Sequence, residues 1–497
     1  MNAGIKVLFA GLFLFMLLSG FADAAEQDYF DVYALEIEGV IHNFLTGRFN
    51  DDALTDIAVI YSPHGDRNTR YLGLYLHKTT GEFRPRADYL IELPGSAAQI
   101  DAGDVDDDNL DEIVIIDADG VSRIDYSPET GLSQPRRIIK KETLFAIPLF
   151  QGILALPFIH DISGAPGLEI IVPVPRGLAI YEKGDDGTYQ ILNLLQAAAS
   201  NQKLSRRMKN FSRIKNRDIQ ISLPEILVVD GNLDGYKDLY FLWENRLLCF
   251  FQDSTGNFSQ SPNVELDLTP ANPVSFQQGR LADCNGDRRP DLAVVNTAGG
   301  ITSMESKLRI YLSDTDGNIS GRSAGEINLS DSHCNLMLGD FNNDNIMEIV
   351  IPAVEMGTFA ATKIFLTKKT DLHLLVYPVS SGIPDKEPLK RLDYEFRFNF
   401  DDCNPTGEVS IDWSANYNGD NLLDAVFCDG NGRILFFWGN EKDYLSKKPD
   451  LEVTLNHASC VYPVQLDSDT LYDLIVEHNL TGRYDRLTVL KNKSNEL

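Results

Sequence analysis

The chain has 497 residues, 43% of them hydrophobic, and a formal net charge of −29 from 73 acidic and 44 basic side chains. That length and apolar content allow a large core. So acidic a surface repels phosphate backbones, which excludes nucleic acid as a partner and suits a protein that holds cations.

Residues 1–24 read as a secretory signal peptide. Lys6 supplies the basic start, "VLFAGLFLFMLL" the apolar stretch, and Ala22-Asp23-Ala24 an A-x-A cleavage site. No other apolar run is long enough to span a bilayer. The expectation is a secreted or periplasmic protein, with residues 25–497 as one domain and no transmembrane segment in the mature chain. The six cysteines, Cys249, Cys284, Cys334, Cys403, Cys428 and Cys460, form no C-x-x-C pair. Export permits disulfides between them, and buried thiols in strands are the equal alternative.

The first strand-like run, "YFDVYALEIEG", precedes a motif that recurs along the whole chain. In "VDGNLDGYKDLYF", Asp230, Asn232, Asp234 and Asp238 stand at relative positions 1, 3, 5 and 9. Oxygen ligands at 1, 3 and 5 of a tight loop suit a hard cation such as Ca²⁺. An EF-hand needs Glu at position 12 and a following helix; here position 12 is Phe241, and "DLYFLW" reads as a strand.

Eight copies occur, with closing acids Asp56, Glu112, Glu169, Asp238, Asp291, Glu348, Asp424 and Asp473. The candidate metal ligands of the first copy are Asn50, Asp52 and Asp56, with Arg48 where the first oxygen belongs. The second offers Asp104, Asp106, Asp108 and Glu112; the fourth Asp230, Asn232, Asp234 and Asp238. The fifth offers Asp283, Asn285, Asp287 and Asp291; the sixth Asp340, Asn342, Asp344 and Glu348. The seventh offers Asn416, Asn418, Asp420 and Asp424; the eighth, with Gln465 first, Asp467, Asp469 and Asp473. The third copy is worn, with Ser163 and Ala165 at ligand positions, and no metal is expected there. The usable loops point to several calcium ions, mainly structural, because crowded carboxylates inside tight turns repel one another without cations.

Between copies lie further strand-like runs, such as "RLLCFFQ" and "NVELDL", separated by turn residues as in "STGN". Four strands per unit at a regular period read as β-propeller blades. The expected fold is all-β, an eight-bladed propeller (seven if the third copy is an outlier), closed by the N-terminal strand. The last copy lacks an outer strand after "RLTVLKN", and the N-terminal run is spare.

Two intervals are lengthened. The first, about 190–220, opens on a Leu/Ala-rich stretch, "YQILNLLQAAAS", that reads as helical. It continues into seven bases, Lys203, Arg206, Arg207, Lys209, Arg213, Lys215 and Arg217, a local sign reversal that can dock an anionic partner or the protein's own acidic rim. The second, about 356–408, contains "DYEFRFNFDD", whose aromatics read as strand core or as a sugar-binding groove. "GRSAG", Gly321 to Gly325, matches G-x-S-x-G but lacks the strand-then-helix context of a nucleophile elbow.

"GDFNNDNIMEIVI" and "VDGNLDGYKDLYF" resemble FG-GAP/VCBS-type repeats, found in integrin α-subunit propellers and secreted bacterial proteins. The resemblance covers nearly the whole mature chain and implies Ca²⁺ held within the blades by the residues at the motif positions. The one "GAP", Gly164 to Pro166, lies inside the worn loop rather than after a strand, which turns the comparison toward the bacterial proteins. The family hosts binding modules and some enzymes. The reading favoured is an exported, non-enzymatic binding or assembly module for a glycan, cell-envelope or protein partner. The alternative is a lyase or hydrolase acting on polysaccharide.

Overall fold

In a computed structural model the described residues are 29–493, apart from 67, 146–152, 198–222, 244, 270–275, 301–302, 331, 356–357, 368, 398–409, 430–431 and 481–482. Eight antiparallel sheets form the blades of a ring. Blade 1 consists of strands Gly39–Gly47, Asp56–Pro63, Arg70–Tyr75 and Tyr89–Leu93. The motif loop always joins the first strand of a blade to the second. Second strands are continuous apolar runs, such as "DIAVIYSP" and "DAVFC", rather than alternating ones. Each sheet is covered on both faces by its neighbours, so both sides of a central strand are core. One cluster joins Ile57 and Val59 of blade 1 to Ile475 and Val489 of blade 8; another joins Ala425 and Phe427 to Val350 and Leu374 of the preceding blade.

Ring closure follows the expectation. Blade 8 comprises Ala458–Val464, Asp473–Leu480 and Arg483–Asn492, and its outer strand is Phe30–Glu36. The register runs from Phe30 opposite Asn492 to Glu36 opposite Arg486. Phe30 and Leu35 are buried, and Phe30 stacks on Phe436 of blade 7 at 5.3 Å.

The worn third copy still forms a blade, which settles eight against seven. Its first strand shrinks to Ile159–His160, and Glu169–Val174, Gly177–Lys183 and Tyr189–Leu195 complete it. That last strand corrects the helical reading of residues 189–200. Pairing with Gly177–Lys183 outweighs a modest local helix preference, and residues 198–200 lie outside the described set. In the second long interval a helix, Thr358–Thr367, precedes strands Lys369–Ser380 and Lys390–Arg397 of blade 6. Tyr394 and Phe396 of the aromatic run pack with Phe427 and Phe437, so they are strand core rather than a groove. Cys249, Cys284 and Cys334 are buried thiols, and Cys403 lies outside the described residues.

His478, in the second strand of blade 8, is 4% exposed. Its Nδ1 meets the Asn456 carbonyl at 2.8 Å and its Nε2 the Thr488 hydroxyl at 2.8 Å. Burial, aided by the nearby Arg486 charge, pulls its pKa down to about 4. A depressed histidine pKa means that the unfolded chain binds the extra proton, so its contribution is complete above pH 6.5 and lost as pH falls toward 4. Melting curves at pH 7 and 4.5 should show a smaller acid-induced loss for His478→Gln than for the wild type; equal losses would assign the acid sensitivity elsewhere.

Candidate metal-binding loops

Five loops share one backbone device. Positions 4 and 6 adopt positive φ: Asp107 and Asn109 in blade 2, Leu233 and Gly235 in blade 4, and Gly286 and Arg288 in blade 5. Asn343 and Asn345 do so in blade 6, and Gly419 and Asn421 in blade 7. Gly, Asn and Asp tolerate that region, which is why they crowd these positions. The repeated reversal gathers the side chains of positions 1, 3 and 5. In blade 4, Asp230 accepts the amides of Asp234 at 3.1 Å and Gly235 at 2.9 Å. Asn232 Oδ1 accepts the Asp234 amide at 2.9 Å, and its Nδ2 donates to Asp234 at 3.0 Å. The Nδ2 contact recurs from Asn285 to Asp287, Asn342 to Asp344 and Asn418 to Asp420. Asn416 accepts the Gly419 amide at 2.8 Å. In blade 2, Asp104, Asp106 and Asp108 bring carboxylate oxygens within 4.8 Å of one another.

The closing acids sit lower than the other candidates, fully buried between the loop and the end of the third strand. Asp424 accepts the Tyr417 amide at 2.7 Å and the Gly439 amide at 2.7 Å. Asp238 accepts from Gly231 and Gln252, Asp291 from Cys284 and Ser313, and Asp473 from Leu466 and Asn492. Glu348 accepts from Phe341, Glu112 from Val105 and Asp56 from His77. Burial pushes the Asp424 carboxyl up to about 7 and Asp238 up to about 6. Burial, with Asp106 adding to it, lifts Glu112 to about 8. These acids therefore hold the blade's backbone together. In the worn third loop that role alone survives: Glu169 binds the Ile162 amide, the Ser163 amide and the Ser163 hydroxyl.

The donor set of blades 4 to 7 is all oxygen-bearing, acidic and loop-borne, which fits a hard divalent cation. Blade 1 keeps Asn50, which accepts the Asp52 amide at 3.0 Å, but has Arg48 in place of the first ligand. Blades 2 and 8 differ in having a third-strand base on the acid at position 3. Arg123 donates to Asp106, and Lys491 Nζ lies 3.2 Å from Asp467. Both bases come from third strands, far in sequence from their loops, so motif spacing alone did not single them out.

Two further features escaped sequence reading. A cavity of about 470 Å³ lies where first strands of neighbouring blades meet, lined by His42, Phe44, Asp101, Tyr462 and Glu477. The Tyr462 hydroxyl donates to Glu477 at 3.1 Å, and Phe44 meets the Tyr462 ring edge-on at 5.1 Å. Burial raises the pKa of both Glu477 and Asp101. The helix 358–367 exposes Phe359, Phe365 and Leu366. The seven bases from Lys203 to Arg217 lie outside the described residues. "GRSAG" ends at Gly325, where a strand begins, so it lacks the turn into a helix that a nucleophile elbow requires. No described helix is long and apolar enough to cross a membrane.

The FG-GAP-like repeat family matches residues 283–351, which span the loops of blades 5 and 6. No curated protein matches the sequence. Among solved structures, an Agrocybe aegerita lectin that recognises non-reducing terminal N-acetylglucosamine is 11% identical, with 84% of this chain and 94% of that chain covered and a TM-score of 0.42. A Fusarium graminearum α-L-arabinofuranosidase is 10% identical, with 80% and 94% covered and a TM-score of 0.35. Likeness at that level bears on neither ligand nor chemistry. The chain is thus an eight-bladed β-propeller that carries an FG-GAP-like repeat at residues 283–351.

Proposed function

We propose that the protein is an exported, calcium-stabilised propeller that serves as a non-enzymatic binding module for a glycan, cell-envelope or protein partner. The observation that carries the calcium part is the repeated left-handed turn that gathers oxygen side chains in blades 4 to 7. Asp230, Asn232 and Asp234, and their counterparts at 283, 285 and 287, at 340, 342 and 344, and at 416, 418 and 420, would hold the ions. Bound Ca²⁺ supplies the positive charge that lets these carboxylates crowd together. Excess EDTA should lower the melting temperature clearly, since a ligand at 100 times its Kd stabilises by about 2.7 kcal/mol per site. An unchanged melting curve, with metal content verified as zero, would sink the calcium reading.

For the partner, the cavity beside Tyr462 and Phe44 offers an aromatic edge and polar groups of the kind that sugars engage. The basic segment from Lys203 to Arg217 is the proposed contact for an anionic partner. A glycan array run with wild type, with Tyr462→Ala and with a variant carrying Ser at Arg206, Arg207, Lys209 and Arg213 separates the two surfaces. Loss of a bound glycan only in the first variant assigns the cavity; loss only in the second assigns the segment. Retention in both rejects both. One observation favours the enzymatic alternative: two carboxyls with raised pKa, Asp101 and Glu477, line one cavity. Depolymerisation of an array-positive polysaccharide, abolished by Glu477→Gln, would establish it in place of the binding module.

A further inference from the structure

Position 3 of the motif divides the loops. It is Asn in blades 1 and 4 to 7, and in blades 4 to 7 the amide Nδ2 donates to the Asp at position 5. Among the described residues, no base forms an ion pair with a position 1, 3 or 5 carboxylate of blades 4, 6 and 7. Blade 5 has one at longer range, Arg289 at 3.7 Å from Asp287. Where position 3 is Asp, in blades 2 and 8, a base from the third strand of the same blade lies on it. Arg123 donates to Asp106, with the two side chains only 13% and 18% exposed. It also contacts Asp125 at 2.6 Å. Lys183 of blade 3 donates to the Asp106 carbonyl. Lys491 Nζ sits 3.2 Å from Asp467, each side chain 19% exposed. A carboxamide at position 3 leaves two or fewer carboxylates among positions 1, 3 and 5; in blade 2 Asp106 is a third beside Asp104 and Asp108, and Arg123 offsets it, whereas in blade 8, with Gln465 at position 1, two carboxylates stand and Lys491 offsets one.

We propose that Arg123 and Lys491 are built-in cations that fill the loops of blades 2 and 8 in place of a divalent ion. This assignment rests on the calcium reading of the other loops. It removes Asp104, Asp106, Asp108, Asp467 and Asp469 from the set of metal ligands, although the first three bring their carboxylate oxygens within 4.8 Å of one another. Arg123 already neutralises Asp106 in a mostly buried pair, and a divalent ion beside Asp106 would meet that like charge at short range. Tying the third strand to the loop needs no metal supply, so these two blades keep their loops ordered when calcium is scarce. Blade 8 is also the closing blade, where loss of an ion would loosen the ring.

The test measures melting temperature in calcium and in EDTA, together with bound calcium by elemental analysis, for wild type, Arg123→Gln and Lys491→Gln. Each variant should melt below wild type in EDTA, recover most of that difference in calcium, and bind one ion more than wild type. A deficit of equal size in both buffers with no added ion would overturn the proposal and leave an ordinary ion pair. So would a variant that melts like wild type in EDTA. If wild type takes up no calcium at all, the calcium reading fails separately. The built-in cation is then read from the metal-free arm: adding Asp106→Asn to Arg123→Gln should restore the lost melting temperature, and no recovery would overturn it.

Discussion

Deletion of Tyr29–Glu38 is expected to cost the protein its monomeric, cooperatively folded state. The strand Phe30–Glu36 is the outer strand of blade 8, and its removal bares the hydrogen-bonding edge of Arg483–Asn492. It also withdraws Phe30, Leu35 and Ile37 from cores shared with blades 7 and 1. Burying each such side chain stabilises by roughly 1.5–3 kcal/mol, so the loss is comparable with the whole stability of a typical domain. An uncovered edge pairs with other chains. Size-exclusion chromatography and a melting curve check this. A monomer of wild-type stability would show that the ring does not depend on its latch.

Replacement of a closing acid should be nearly as damaging, and in a way that separates backbone support from metal binding. In Asp424→Ala the buried amide of Tyr417 and the half-buried amide of Gly439 lose their acceptor. Each unsatisfied buried amide costs about 1–3 kcal/mol, and the vacated volume adds to it. The melting temperature should fall in calcium and in EDTA alike. Asp420→Asn, higher in the same loop, should leave the metal-free protein nearly unchanged and weaken only the calcium-loaded one. If Asp424→Ala lost stability only in calcium, the acid would be a ligand rather than a brace.

The architecture was legible in the sequence because its signal is redundant. Eight loops followed by apolar strands define the blades even where one loop is worn, and "YFDVYALEIEG" was spare only if it completed the blade that "RLTVLKN" left short. Local preference misled at residues 189–195, where a Leu-rich run pairs as an edge strand because a neighbouring strand is there to receive it. The loop chemistry was half legible. Spacing placed the oxygens, but not the burial of Asp238 and Asp424 or the amides they accept from beyond the third strand. Only the fold separates a carboxylate facing the loop from one buried under it. Arg123 and Lys491 were invisible for a similar reason: strand pairing, not sequence proximity, carries them to Asp106 and Asp467.

The central claim is that loops in this ring hold calcium. Its most direct test is elemental analysis of the full chain after equilibration with calcium and removal of free ion. One ion is predicted for each of the loops in blades 4, 5, 6 and 7, and the count should fall by one when Asp234 and Asn232 are both replaced by Ala. A chain that retains no calcium, or a count that the paired substitution leaves untouched, would contradict it.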